Sequence, residues 1–458
     1  MSRPDRPRVR RLIGLALLCA GCASEPLQPD YGETRALIAD ATGSAEIYDP
    51  DTDLLSADQI QAELEGGLTL DESLRLALLN SRRLQAGFAS IGVARADYVQ
   101  AGLLENPQLG LGVLFPTSGK PRLLADLSQG IMDIWRIPDR QRVASARVDQ
   151  QVLEVARLAG ELAARTKTAY YESVAARELA RAADAARQLA ERVAASVDLA
   201  ASSGVATRTV IDRAATDTLR AELAASQAQQ QAARSTRELA SLLSLSIDLH
   251  DVPFVDPLPP PMDPGADPTA RERWVSKGRQ TRLDLVALAR AVAEAEAQLD
   301  LARAEARPDV DAGVSYERLE AGGNPDHVVG PTLSLELPIF DDGEAGISRA
   351  RYELERLRKT YEALDAEVAQ EIRAAVDRAA LAASAARLVD EQLGPQLRRS
   401  SELTRRAYEQ GDLTLGPVLA AEATLLELAA TRVETALEAA LARIDLERAL
   451  GSPLTSDD

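Results

Sequence analysis

The sequence predicts a mainly α-helical protein with a transmembrane β part, built as a two-fold internal repeat that supplies four β-strands per chain. Three observations carry this. Aromatic residues are only 3% of the 458 residues, while Ala, Leu, Arg and Glu dominate, a composition of long helices and not of a compact α/β core. The chain also aligns on itself: a shift of 207 residues sets Gly204 over Gly411, Thr207 over Thr414 and Leu219 over Leu426. Finally, four short runs alternate apolar and polar residues with period two, the pattern of strands with unlike faces.

The N-terminus reads as an address. Arg3, Arg6, Arg8, Arg10 and Arg11 precede the apolar run Leu12 to Ala20, which is too short to span a bilayer as a helix and fits a secretory signal. It ends in Cys19-Ala20-Gly21-Cys22, which resembles the lipobox of bacterial lipoproteins, and the resemblance makes Cys22 the acylated first residue of the mature chain, carrying palmitate-type chains. Ala23 after it implies sorting to the outer membrane. Removing residues 1–21 takes away five Arg and one Asp and moves the net charge from −19 to −23. An acidic chain with no basic block excludes a nucleic-acid partner. His250 and His327 are the only histidines and Cys19 and Cys22 the only cysteines, so neither a metal centre nor a Ser-His-Asp relay has raw material, and no cofactor is expected.

Elements follow in order. Leu68 to Gly102 carries apolar residues at helical spacing, with Thr69 and Glu72 placed as a capping box, and stops at Asn106-Pro107. Next, Leu109, Leu111, Val113 and Phe115 face away from Gln108, Gly110 and Gly112, and after a turn Leu123, Ala125 and Leu127 oppose Asp126, Ser128 and Gly130. The second half repeats this: Val310, Ala312, Val314 and Tyr316 oppose Asp311, Gly313, Ser315 and Glu317, while Leu333, Leu335 and Leu337 oppose Thr332, Ser334 and Glu336. Such hairpins suit either a sheet over an apolar core or a barrel with lipid outside and water inside. Four strands cannot close a barrel of eight or more, so a barrel requires copies, and three copies supply twelve strands.

Behind the strands, about Asp139 to Ser203 and about Glu344 to Gln410 read as helices of roughly 65 residues, near 95 Å at 1.5 Å per residue, with one break at Gly394-Pro395. Each is followed by a Gly-centred turn and a returning helix ending at Leu243 or Leu450. Abundant Ala lets a helix share two close neighbours, as in a tubular wall, although a solvated coiled-coil rod has the same pattern. The expected divisions are a signal at 1–21, an N-terminal tail at 22–66, a first repeat at 67–246, a Pro-rich extended linker at 247–270, a second repeat at 271–451 and a tail at 452–458. No convergent catalytic set emerges; Tyr170-Tyr171 and the scattered acids read as helix-surface residues, so an enzyme is not expected.

The strand ending LSLELPIFDDGEA, the stretch TKTAYYESVAAREL early on the long helix and the C-terminal run from Ala407 to Gly451 together resemble the outer membrane efflux protein family, the TolC-like channels, over about residues 67 to 451. The resemblance implies a homotrimer whose twelve-stranded β-barrel in the outer membrane continues into a long periplasmic α-helical barrel, and which meets a periplasmic adaptor (membrane fusion protein) and an inner-membrane pump. It makes Gly204, Val205 and Thr207 with Gly411, Leu413 and Thr414 the adaptor-docking tip turns. Asp212, Tyr408 and Glu422 become the candidate gate, because Pro417 and Ala420 stand where family members often carry Asp. Asp311, Glu317 and Glu336 become acids facing the lumen, which bias a pore toward cations. The Gly394-Pro395 break resembles branches that serve heavy-metal efflux, so drugs or metal ions are the expected cargo. A lipid-anchored periplasmic coiled-coil spacer or adaptor without a pore is the competing expectation.

Overall fold

A computed structural model describes residues 26–50, 57–117, 120–204, 206–245, 248–265, 267–321 and 324–454. Cys22 and Val205 lie outside them. The chain carries α1 (Gly32–Thr42), α2 (Ala57–Leu64), α3 (Leu70–Asn80), α4 (Arg82–Ala101), β1 (Gln108–Leu114), β2 (Arg122–Gly130), α5 (Asp133–Ser202) and α6 (Arg208–Leu242). It goes on with α7 (Pro268–Thr281), α8 (Leu283–Glu305), β3 (Val310–Ala321), β4 (Asn324–Leu335), α9 (Glu344–Leu388), α10 (Gly394–Glu409) and α11 (Leu415–Leu450).

The single helix expected from Leu68 to Gly102 is two. Its capping box forms, with the Thr69 side chain accepting from the Glu72 N–H and Glu72 Oε2 accepting from the Thr69 N–H, but Ser81 turns extended (ψ 108°) and its Oγ caps α4 by accepting from the Leu84 N–H. Arg282, at the equivalent place in the second half, has the same geometry (φ −68°, ψ 109°) between α7 and α8. A one-residue extended break tilts the apolar stripe of one helix relative to the next, which no periodicity count detects. The expected N-terminal tail contains α1 and α2. Tyr31 and Tyr48 close on Phe88 with ring centroids 5.4 and 5.5 Å away, so this segment roofs the start of α4.

α5 is one helix of 70 residues, about 105 Å long. Pro138 stands in its second turn and withholds one N–H from the backbone ladder near the start of the helix. Its counterpart does not break at Gly394-Pro395 as the sequence suggests. Val389–Leu393 forms a five-residue π-helical turn and Gly394 stays helical, so the register slip absorbs the proline without a change of direction. The returning helices α6 and α11 lie against α5 and against α9 with α10, and α11 also packs on α5. The lateral order toward the far end is therefore α6, α5, α11, α10.

The Pro-rich linker is docked and not a free connector. Leu68 exchanges backbone hydrogen bonds with Pro253 and Val255. Tyr170, expected on the helix surface, is 0% exposed. Its hydroxyl donates to the Leu68 carbonyl at 2.9 Å and accepts from the Asp256 N–H at 3.1 Å, and burial pushes that hydroxyl up to about 12. Arg177 caps the linker carbonyls of Leu249 and Val252 and lies over the Phe254 ring at 4.2 Å. The two halves are joined by polar contacts as well. Lys167 Nζ meets Glu447 Oε2 at 2.6 Å with both side chains largely buried; within the second half, Arg282 holds Asp284 at 2.6 Å and Glu371 at 2.8 Å.

β1, β2, β3 and β4 form one antiparallel sheet in chain order, leaving β1 and β4 as unpaired edges. The second hairpin is the longer, with strands of 12 residues against 7 and 9, where the sequence places the extra residues of the second half.

Tyr170→Phe leaves the Asp256 N–H without its partner and takes from the Leu68 carbonyl one of its two donors, the Val255 N–H remaining, so the unfolding free energy should fall by about 1–3 kcal/mol in a denaturation series in detergent. Burial pushes the Asp284 carboxyl up, but the Arg282 guanidinium outweighs it and holds the group below its ordinary value. A group lowered in this way stabilises above its unfolded value, about 3.9, and that contribution disappears as pH falls through the lower folded value. Asp284→Asn should therefore flatten the loss of melting temperature on acidification below about pH 4 while costing stability at pH 7.

Candidate channel wall and tip

The strand register decides which side chains share a face. Leu109 opposes Leu127, Leu127 opposes Val314, and Leu111 opposes Ala125, which opposes Tyr316. Ala312 opposes Leu333 and Val310 opposes Leu335. Directly opposed residues point the same way, so these form one continuous apolar surface across all four strands. Nothing described covers it: Leu111 and Leu333 are each 74% exposed, and Leu109, Leu127, Val314, Val329 and Leu335 are exposed as well. This removes the reading of the hairpins as a sheet over an apolar core.

The other face pairs Gly110 with Asp126, Asp126 with Ser315, Ser128 with Gly313, Gly130 with Asp311, and Asp311 with Ser334. It is small, polar and acidic. The three acids anticipated on it fare differently. Asp311 stands on it beside Gly130. Glu317 faces Arg122 Nη1 at 3.4 Å, an exposed pair that screening leaves weak. Glu336 lies one residue beyond β4, its N–H donating to the Asp309 carbonyl at 3.0 Å. Asp126, which the alternation places opposite Leu123, Ala125 and Leu127, joins the face as a further acid beside Asp311.

At the opposite end of the long helices are the two turns. Gly204 (φ +76°) and Gly411 (φ +84°) take the left-handed conformation, with no side chain or backbone within 4 Å of an added Cβ. Gly411 N–H donates to the Tyr408 carbonyl at 2.9 Å and Asp412 N–H to the Ala407 carbonyl at 2.9 Å, closing α10. Thr207 and Thr414 occupy the N-cap positions of α6 and α11 with extended backbone, yet neither side chain makes the expected cap hydrogen bond. The first turns instead rest on backbone bonds such as Val210 N–H to the Thr207 carbonyl. Both hydroxyls are therefore left to the surface. Leu413 and Leu415 are exposed beside Gly411.

The three gate candidates are not brought together within one chain. Asp212 pairs with Arg208 one turn earlier at 3.2 Å, Glu422 reaches Arg192 of α5 at 3.5 Å, and Tyr408 stands partly exposed near the end of α10. The Arg192–Glu422 pair, which joins two adjacent helices, carried no sequence signal because the partners lie in different halves of the chain.

Residues 274–452 match the family model described as outer membrane efflux protein. Protein CyaE of Bordetella pertussis is 27% identical over 293 residues, covering 60% of this chain and 60% of that protein, so the match spans less than two thirds of the relative's length. Among solved structures, a membrane protein from Pseudomonas aeruginosa superposes with a TM-score of 0.68 at 19% identity, covering 83% of this chain and 93% of its own. The CmeC outer membrane channel of Campylobacter jejuni superposes with a TM-score of 0.66 at 16% identity, covering 90% and 91%. The fold is thus that of outer membrane channels, and the resemblance to the outer membrane efflux proteins rests on a family match as well as on shape.

Gly411→Val forces a β-branched residue into the left-handed region at a cost of about 1–2 kcal/mol. Limited proteolysis of the folded protein should show faster cleavage at the α10–α11 turn, whereas Gly416→Ala, inside α11 with open space around it, should leave the digestion pattern as it was.

Proposed function

We propose, from the likeness to the outer membrane efflux proteins, that this chain is one third of an export duct: three copies close a twelve-stranded barrel in the outer membrane and continue it as a helical tube through the periplasm. The observation that carries the reading is the bare apolar face of the sheet. Backbone can cross hydrocarbon as a sheet only if the sheet closes on itself, and β1 and β4 are two open edges with matching antiparallel direction. Below the sheet the outermost helices have exposed apolar residues, Leu219 and Leu223 on α6 and Leu381 and Leu388 on α9. These suit the seam at which α6 of one copy meets α9 and α10 of the next, so strands and helices would close around the same axis.

In this reading the polar face lines the water path, and Asp126 and Asp311 give it negative character that favours cations over anions. The tip turns at Gly204 and Gly411, with Val205, Thr207, Leu413 and Thr414, meet the helical hairpins of a periplasmic adaptor bound to an inner-membrane pump. Asp212, Tyr408 and Glu422 narrow the entrance once three chains bring them round the axis. Cys22 carries the acyl anchor, and 22–66, 67–246, 247–270 and 271–451 act as tail, first repeat, linker and second repeat. A wide aqueous duct offers its cargo few close contacts, so discrimination between drugs and metal ions falls to the pump. A pore-free periplasmic spacer would have no use for an uncovered apolar sheet.

Leu335→Arg, on the apolar face, should cost about 2–4 kcal/mol if the site lies near the bilayer midplane, and should reduce the detergent-extracted trimer on native mass measurement. Ser334→Arg, one residue away on the polar face, should preserve the trimer and lower cation selectivity in single-channel recording. A purified chain that stays monomeric in detergent and conducts no current would refute the duct.

A further inference from the structure

A cleft of about 290 Å³ opens between the first turns of α5 and the last turns of α8, immediately below the sheet. Four guanidinium groups line it, those of Arg136, Arg142, Arg303 and Arg307, against the carboxylates of Asp139 and Asp300. Arg142 lies 3.2 Å from Asp139, Arg303 lies 3.1 Å from Asp300, and Arg136 forks onto Asp309 at 3.1 and 3.2 Å. Arg307 has no ion-pair partner among the described residues, and the Arg136 Nε is buried without a hydrogen-bond partner. The cleft therefore has more arginine than its carboxylates neutralise, on a chain whose net charge is −19.

Its position relative to the two faces of the sheet follows from the start of α5. Asp133 Oδ2 and Asp311 Oδ1 both lie near Gly130, 3.7 and 3.5 Å from an ideal Cβ there, so Asp133 marks the polar side. At about 100° per residue, the cleft residues Trp135, Asp139 and Arg142 stand about 200°, 240° and 180° round the helix from it, while Arg136 stands about 60° away, nearer the polar side. Most of the α5 lining of the cleft thus lies on the side of the apolar face. Ile134 and Trp135 are exposed there, and Leu103, Leu104, Ile339 and Phe340, at the other junctions between strand and helix, are exposed too. Apolar side chains above, a tryptophan at the boundary and arginines beneath follow the sequence from acyl chain to interface to headgroup.

We propose that this cleft binds the phosphate of an anionic phospholipid in the inner leaflet of the outer membrane, one per chain, with the acyl chains lying on the apolar sheet face. The inference rests on the channel reading. Guanidinium forks match phosphate oxygens in pairs, and Arg307 together with the unpartnered Arg136 Nε supplies donors that the neighbouring carboxylates leave unused. A headgroup fixed at this level would set the depth of the barrel and hold α5 and α8, one from each half of the chain, against the membrane surface.

The test is native mass spectrometry of the full-length protein in non-ionic detergent, with added phosphatidylglycerol, phosphatidylethanolamine or inorganic phosphate. Phosphatidylglycerol should be retained at about one per chain and at least about tenfold more than phosphatidylethanolamine, and millimolar inorganic phosphate should not displace it. R303Q/R307Q should lose that preference while keeping the trimer. D300N, which frees Arg303 from its ion pair, should retain phosphatidylglycerol more strongly than wild type. Equal retention of the two lipids by a trimer, displacement by inorganic phosphate, or full retention by R303Q/R307Q would overturn the headgroup site and leave the duct standing. A monomer without pore activity would overturn both.

Discussion

An antiparallel sheet with one uncovered apolar face and two unpaired edges is the constraint on which the rest of this molecule depends. Nine large apolar side chains of the strands on that face, from Leu109 to Leu335, stand open to their surroundings. At about 1.5 kcal/mol each their burial is worth on the order of 10 kcal/mol, comparable with the whole stability of an ordinary domain. No described element of the chain covers them. The environment and further copies must supply the missing contacts, so the site of action is something that a single chain only begins to build.

The helical part is organised to deliver that sheet at the end of a long lever. α5 alone runs about 105 Å, and its neighbours on either side belong to different halves of the sequence. Near the middle Tyr170 pins the linker to Leu68, Lys167 reaches across to Glu447 of the other half, and Arg282 gathers Asp284, Glu371 and the Ala449 carbonyl within the second half. Lys167 and Glu447 are both largely buried, and losing one partner of such a pair is far more costly than losing an exposed pair such as Arg122–Glu317. The tip turns, by contrast, are held by backbone geometry alone: left-handed glycines and carbonyls satisfied within the turn. Rigidity is concentrated at the equator, and exposed unengaged side chains at the two ends.

Much of this was legible in the residues because it depends on local periodicity. Period-two alternation identified all four strands and assigned their faces, and the register agrees at every central pair. The capping box at Thr69 and Glu72 and the two left-handed glycines were equally local. What escaped was decided by contacts distant in sequence. Tyr170 reads as a surface residue until the linker lies over it. Ser81 and Arg282 sit in uninterrupted helical patterns and break only because neighbouring helices must change direction there. Pro395 reads as a break and is absorbed by a π-helical turn, since the flanking helix is held on one line by α11. Thr207 and Thr414 occupy cap positions, yet the backbone satisfies the first turn without their hydroxyls.

The sequence by itself determined the order of strands and long helices and which face of each strand is apolar, since spacing, turn residues and helix propensity act over a few residues. Tertiary structure alone decided which carboxylates stay unpaired on the polar face, how the linker docks, and that arginines from α5 and α8 converge beneath the sheet. Those outcomes depend on bringing together residues far apart in the chain, such as Tyr170 with Asp256 or Arg136 with Asp309, and the energy of such a meeting is absent from any local pattern.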